Sequence, residues 1–512
     1  MTLREKIGQR LMTGFPGTEM TEEFRQVVRE YKIGNVILFQ ENVRDCAQLK
    51  QLCADIQAFV RQETGHSAFI AVDQEGGIVT RLKSDAVNIP GAMAMGATGD
   101  PENAFLGGKL IGKELRALGP NFNFAPTVDV NSNPRNPVIG VRSYGDDPEF
   151  VGRFAARAVQ GFMEGGVLCC AKHVPGHGDT DLDSHLALPC VDKSMEQLEQ
   201  VELIPFRSAV EAGVPAVMTS HILFPQIEPD GVPATMSRRI MTGLLREKLG
   251  FRGIIVSDCM EMAAIRTHYG ISEGTLAAFK AGVDLVEITH HPLWCAEAAQ
   301  RLLEAAENGE LDMKEMDESV QRILDAKEAW IEGKEFPDFD FEAAAKESRR
   351  MLNLSITQVA PPAEDFRFSP NPLCIGCEPY RVSLVGNVEG EKGNPFGAVV
   401  AKALGGTCAD MSRDPDAEEI ARLVELAREH GSAVVGAFMT ISNPGQLALI
   451  RALAEAKIPT VAVGLRTPYD LRDLPQGVWS FVVYEYTREG ILAAARVLTG
   501  ELKPTGKLPV RL

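Results

Sequence analysis

Residues 167–185 read VLCCAKHVPGHGDTDLDSH, and the first seven of them decide the fold. Val167–His173 is an unbroken apolar run that ends on a lysine and a histidine. A strand buried on both faces has this pattern, because neither face can afford polar side chains. Pro175, Gly176 and Gly178 then break the chain into a loop. Glu196–Ala212 follows, with apolar residues spaced three and four apart as on a helix.

The same unit recurs on either side. Apolar runs lie at Arg10–Phe15, Asn35–Phe39, Ala68–Asp73, Phe122–Asp129, Ala216–His221, Gly253–Asp258 and Asp284–Ile288. Helical periodicity separates them at Thr21–Tyr31, Ala47–Arg61, Pro101–Leu118 and Glu149–Met163. Eight β-α units in about 300 residues predict a (β/α)8 TIM-like barrel rather than an open doubly wound sheet. No G-x-G-x-x-G or P-loop follows any strand, so the usual nucleotide cradles are missing. Cys169 and Cys170 read as buried strand residues.

Beyond the barrel, helical patterns cover about 291–333 and Phe341–Gln358, and the proline-rich stretch Val359–Cys374 reads as a linker. Strand candidates Val382–Val385, Ala433–Met439, Thr460–Gly464 and Ser480–Tyr484 then alternate with helices Pro395–Leu404, Asp416–Glu429, Gly445–Ala456 and Arg488–Thr499. The expected α/β organisation is a barrel over 1–340, a helical connecting segment over 341–374 and a smaller α/β sandwich domain over 375–512. Whether the second domain reaches the barrel mouth or mediates oligomerisation is left open by the sequence.

The chain has 512 residues, 45% hydrophobic and 24% charged, and 52 basic against 70 acidic residues give a net charge of −18. That balance argues against nucleic acid or an anionic membrane surface as the main partner. The first residues, MTLREKIGQRLMTGF, mix charges with apolar side chains, unlike a signal peptide. No run approaches the roughly 18 apolar residues of a membrane span. Ten dispersed cysteines predict reduced thiols and a cytoplasmic setting. Cys374 and Cys377 form a lone CxxC with no second pair to complete a zinc site.

Polar residues end several strands: Asp73, Asp129, Lys172, His173, His221 and Asp258. In a barrel those ends converge on one face, where catalytic residues gather. The loop Lys172–His185 admits three readings. It is a polar surface loop, a metal site built on His173, His177 and the aspartates, or an acid/base pair of Asp183 and His185. A metal bound by His173 and His177 at a spacing of four would need a helix, which Pro175 forbids. An Asp–His pair fixes the imidazole tautomer and poises it to donate a proton near neutral pH. Asp258, in VSDCMEM (256–262), is placed either to cap the next helix or to attack an anomeric carbon.

VDQEGGIVTRL (72–82), VRSYG (141–145), KHVPGHGDTDLDSH (172–185) and SDCMEM (257–262), in this order, resemble glycoside hydrolase family 3 and its β-N-acetylglucosaminidase branch. TGKLPVRL (505–512) resembles the family's closing stretch. The resemblance implies a retaining, exo-acting enzyme that needs no cofactor or metal and acts on a saccharide. In that reading Asp258 is the nucleophile, His185 the acid/base and Asp183 its partner. Asp73, Arg81, Arg142, Lys172 and His173 are implied as substrate-binding residues. The implied substrate carries terminal β-linked N-acetylglucosamine and is either cell-wall-derived or chitin-like. A histidine acid/base carries no negative charge when deprotonated, so phosphorolysis is a variant of the same mechanism. A metal-dependent hydrolase and a non-catalytic sugar-binding protein are the alternatives of another class. Val174, Tyr144 and Cys259 depart from the common family pattern but leave every implied catalytic position in place.

Overall fold

The computed structural model describes residues 1–180, 188–335, 338–382, 386 and 393–512. Eight parallel strands form the first sheet: β1 (Leu11–Thr13), β2 (Asn35–Ile37), β3 (Phe69–Val72), β4 (Phe122–Asn123), β5 (Leu168–Val174), β6 (Ala216–Thr219), β7 (Ile254–Val256) and β8 (Val286–Ile288). They are ordered β7-β6-β5-β4-β3-β2-β1-β8. A parallel bridge between Val256 and Leu285 joins β7 to β8 and closes the ring into the expected barrel.

Strand periodicity explains why the apolar runs are continuous. Side chains alternate between the two faces of a strand. Leu168 and Cys170 belong to the cluster that fills the barrel interior, with Met12, Ile37, Phe69 and Phe122. Cys169 and Ala171 lie in the other core, between the barrel and its surrounding helices. The same two-residue step continues past each strand end: Phe69, Ala71, Asp73; Leu168, Cys170, Lys172; Ile254, Val256, Asp258; Leu285, Glu287. The last member of each series is polar and stands at one end of the packed interior. β4 is short because Pro126 cannot donate to the ladder. Val128 N–H still bonds Lys172 C=O at 2.8 Å, so the segment keeps to the barrel wall.

The helix Met313–Trp330 covers the opposite end, with Ile323 in the interior cluster. Its Lys327 is buried, and its Nζ donates to Gln9 Oε1 at 2.6 Å and to Gly34 C=O at 3.0 Å. Burial pulls the Lys327 pKa down to about 7.

A six-stranded second sheet comprises β9 (Thr357–Ala360), β10 (Leu373–Gly376), β11 (Thr407–Asp410), β12 (Ala433–Ala437), β13 (Thr460–Gly464) and β14 (Trp479–Val482), ordered β11-β10-β12-β13-β14-β9. All pairs are parallel except β9 with β14. Helices Pro395–Leu404, Ala417–His430, Pro444–Glu455 and Arg488–Leu498 cover this sheet. The expected sandwich is present, but its strands differ from the sequence reading. Leu373–Gly376 is a strand between β11 and β12 rather than the junction of the expected linker and second domain. No described part of the expected strand Val382–Val385 is extended into the sheet, and residues 383–385 lie outside the described set.

The two sheets share a boundary. Met93, Ala94, Ala97 and Val141, from segments above the barrel, pack into the core of the second sheet. Residues 506–511 run along the same boundary. Lys507 N–H donates to Ala97 C=O at 2.8 Å, and Asp146 N–H donates to Pro509 C=O at 3.2 Å.

Candidate active site

Asp73, Arg81, Arg142, Lys172, His173 and Asp258 line a single cavity of about 710 Å³ at the polar end of the barrel. Asp183 and His185 fall in residues 181–187, outside the described set.

Lys172 organises one wall. Its Nζ lies 2.8 Å from Asp73 Oδ1 and 2.7 Å from Glu75 Oε1. Arg81 Nη2 donates to the other oxygen of Asp73 at 3.2 Å. Arg142 grips Glu75 with two bonds, Nε to Oε2 at 2.9 Å and Nη2 to Oε1 at 2.8 Å. Burial alone would raise the Glu75 pKa, but Arg142 and Lys172 overcome it and hold the carboxyl well below the ordinary range. Burial likewise opposes the Lys172 charge, yet Asp73 and Glu75 raise its pKa above that of free lysine. Glu75 and Lys172 are therefore charged at neutral pH. Arg81, Asp73, Lys172 and Arg142 present fixed donors and acceptors to the cavity, while Glu75, outside its lining, pins Lys172 and Arg142.

Asp129 organises the adjoining loop. Its carboxylate accepts from His173 N–H at 3.2 Å, His177 N–H at 2.7 Å and His173 Nδ1 at 2.7 Å. The bond to Nδ1 sets the tautomer, and His173 lines the cavity with that ring orientation locked. His177 is buried and pairs through Nδ1 with Thr180 Oγ1 at 2.8 Å. Burial, reinforced by His173, lowers its pKa to about 4, so it is a neutral ring. Gly178 is required here, since a Cβ would stand 1.6 Å from Val130 C=O.

Asp258 occupies the turn after β7. Its N–H donates to Thr219 Oγ1 at 3.3 Å, and Cys259 N–H donates to its Oδ1 at 2.8 Å. The next helix begins at Ala263, beyond the reach of a capping role for Asp258. His221 is fully buried behind this turn, with Nε2 3.0 Å from Cys259 C=O and Nδ1 2.8 Å from Thr235 Oγ1. Although it follows β6, it does not line the cavity; it holds the Cys259 carbonyl of the turn instead.

Several participants were not singled out from sequence. Glu75 lies inside VDQEGG, and its burial between two cations is decided by tertiary packing. Glu287 lines the cavity from β8, and Arg381 and Gly386 reach it from the segment beyond β10. The second unit thus contributes to the cavity, the point the sequence left open. Phe39 and His290 bring their rings within 4.4 Å at the mouth.

Among the described residues no group of three or more His, Cys, Asp or Glu is arranged to hold a metal ion. Cys374 and Cys377 are buried thiols whose pKa values burial pushes up to about 12. Among the described residues no helix is long and apolar enough to cross a membrane.

Comparison with known proteins agrees with this geometry. The glycosyl hydrolase family 3 N-terminal domain matches residues 2–326. A β-N-acetylglucosaminidase of that family from Paenibacillus sp. str. FPU-7 superposes with a TM-score of 0.93 at 39% identity, covering 100% of this chain and 99% of the other. β-Hexosaminidase A of Pseudoalteromonas piscicida is 37% identical over 369 residues, which span 64% of this chain and 61% of that protein. The β-hexosaminidase of Thiobacillus denitrificans is 35% identical over 298 residues, 57% of this chain and 81% of its own. A barrel carrying these charged strand ends, matched over most of its length, places the chain in glycosyl hydrolase family 3.

Proposed function

We propose that this protein is a retaining, exo-acting β-N-acetylglucosaminidase. It removes terminal β-linked N-acetylglucosamine from cell-wall-derived or chitin-like saccharides. The observation that carries this reading is the convergence of Asp258 with Asp73, Arg81, Lys172, Arg142 and His173 in one cavity. A carboxylate lies there among fixed donors and acceptors suited to the hydroxyl and acetamido groups of one sugar. The β-N-acetylglucosaminidase from Paenibacillus, alike over the full length, supports the same substrate class.

In the first step a carboxylate oxygen of Asp258 bonds to the anomeric carbon as the glycosidic C–O bond breaks. His185, oriented by Asp183, gives its proton to the departing oxygen. In the second step neutral His185 takes a proton from water, whose oxygen displaces Asp258 and releases the sugar. Free thiols at all ten cysteines fit a reducing compartment and so a cytoplasmic enzyme.

The test is turnover of a chromogenic N-acetyl-β-glucosaminide by the wild type and by Asp258→Ala, in buffers with and without phosphate. Wild-type turnover with free N-acetylglucosamine as product is expected. The variant should lose at least about 10⁴-fold in kcat, with partial rescue by azide. Sugar 1-phosphate as the main product would replace water by phosphate as the acceptor. Wild-type rates in Asp258→Ala would remove it as nucleophile.

A further inference from the structure

The displacement proposed above leaves the buried carboxyl of Glu287 unused. β8 delivers Glu287 two residues after Leu285, so both face the barrel interior. Leu285 belongs to the apolar packing, whereas Glu287 stands above it and lines the cavity. The residue is 2% exposed, and its Oε1 has no hydrogen-bond partner among the described residues. Its backbone is satisfied: its N–H donates to Ser257 Oγ at 2.9 Å, and its C=O accepts from Met260 N–H at 2.9 Å. The unmet oxygen therefore belongs to the side chain alone. An orphaned buried polar atom costs about 1–3 kcal/mol. Such an atom at the floor of a polar cavity is explained when a ligand supplies its partner.

The surrounding groups define its chemistry. Asp73 lies beyond β3, Cys170 and Lys172 on β5, and Asp258 and Cys259 beyond β7. Lys172 is already engaged by Asp73 and Glu75. Burial, then the charges of Asp258 and Asp73, push the Glu287 carboxyl well above the ordinary range, against a smaller pull from Lys172. The raised pKa favours the protonated carboxyl, which donates one hydrogen bond and accepts others.

We propose that Glu287 is a specificity-determining residue of the sugar pocket, its carboxyl hydrogen-bonding one ring hydroxyl of the terminal sugar. This rests on the reading that the cavity binds such a sugar. A site that binds a hydroxyl through a buried polar group rejects the analogue lacking it, because the protein group is then left unpaired.

The experiment compares wild type, Glu287→Gln and Glu287→Leu on a chromogenic N-acetyl-β-glucosaminide and on its 3-, 4- and 6-deoxy analogues. Glu287→Gln keeps the polar contact and should stay within about threefold of wild-type kcat/KM, whereas Glu287→Leu should lose about 10–100-fold on the parent. For one deoxy analogue, wild type and Glu287→Leu should be nearly equal, because the partner hydroxyl is already gone. Unchanged turnover of the parent by Glu287→Leu, or the same loss on every analogue, would overturn the proposal. If wild type does not turn over the parent, the reading of the reaction fails instead. Calorimetry with N-acetylglucosamine then decides on Glu287: weaker binding to Glu287→Leu sustains the contact, and equal or absent binding to wild type and variant rejects it. Should Glu287→Leu fail to fold, an unchanged discrimination among the deoxy analogues by Glu287→Ala counts against the proposal in the same way.

Discussion

Lys172 shows how much of this site depends on single residues. The strand run ending AKH marks a lysine at a strand end, and the alternation of faces puts it inside the barrel. Its neighbours Asp73 and Glu75 come from a segment about a hundred residues earlier, and only folding brings them within 2.8 Å. Glu75 matters as much as the residues singled out from sequence, since it neutralises both Lys172 and Arg142. Glu75→Gln should leave two buried cations short of a partner and destabilise the fold by about 3–5 kcal/mol, measured by denaturant unfolding. Because the folded-state pKa of Glu75 is depressed, its contribution is present above its unfolded value. It erodes as pH falls below that value toward the folded one. The difference in stability between wild type and Glu75→Gln should therefore shrink on acidification; a difference independent of pH would refute the pairing. Glu287 was open to the same alternation argument, two residues past Leu285, but a polar residue in DLVEIT looks like any strand interruption until its surroundings are known.

At the scale of elements, the eight barrel strands are legible because each is apolar on both faces. The strands missed in the second sheet escape notice for two different reasons. β9 and β11 are edge strands, with mixed exposure along their length, and an edge needs no continuous apolar run. β10 is fully buried but only four residues long and preceded by prolines, so its signal is submerged in a linker-like composition. The helix Met313–Trp330 carries a feature that periodicity does not reveal. Lys327 occupies a buried position at the closed end of the barrel, where its charge is disfavoured. Its pKa is about 7 folded against about 10.4 unfolded. The unfolded chain therefore holds more protons between those values, and stability rises with pH across that window. Lys327→Met should flatten that part of the curve, seen as a smaller change in the denaturation midpoint between pH 7 and 10 than in wild type. An equal change in both proteins would show that Lys327 is not the titrating group.

At the scale of the whole molecule, the second unit supports the barrel mouth. Glu485, in the run VVYEY (482–486), accepts from Gly91 N–H at 2.5 Å and leaves no room for a side chain at Gly77. Asn131 and Tyr469 meet across the same boundary at 3.3 Å. The Glu485 contact braces the segment 76–91 that follows Glu75. Glu485→Ala should cost about 1–3 kcal/mol of stability and speed hydrogen exchange at the Gly91 amide; unchanged exchange there would show that the contact does not brace the segment. The sequence by itself determined the barrel, the existence of a second α/β unit and the set of charged residues at strand ends. Apolar periodicity and strand-end position are local properties, readable along the chain. Only the tertiary structure decided which of those charges pair, that Glu75 and Glu287 join them, and that Arg381 reaches the cavity from the second unit. Pairing and burial depend on distances between residues far apart in sequence, and those distances exist only once the barrel has closed.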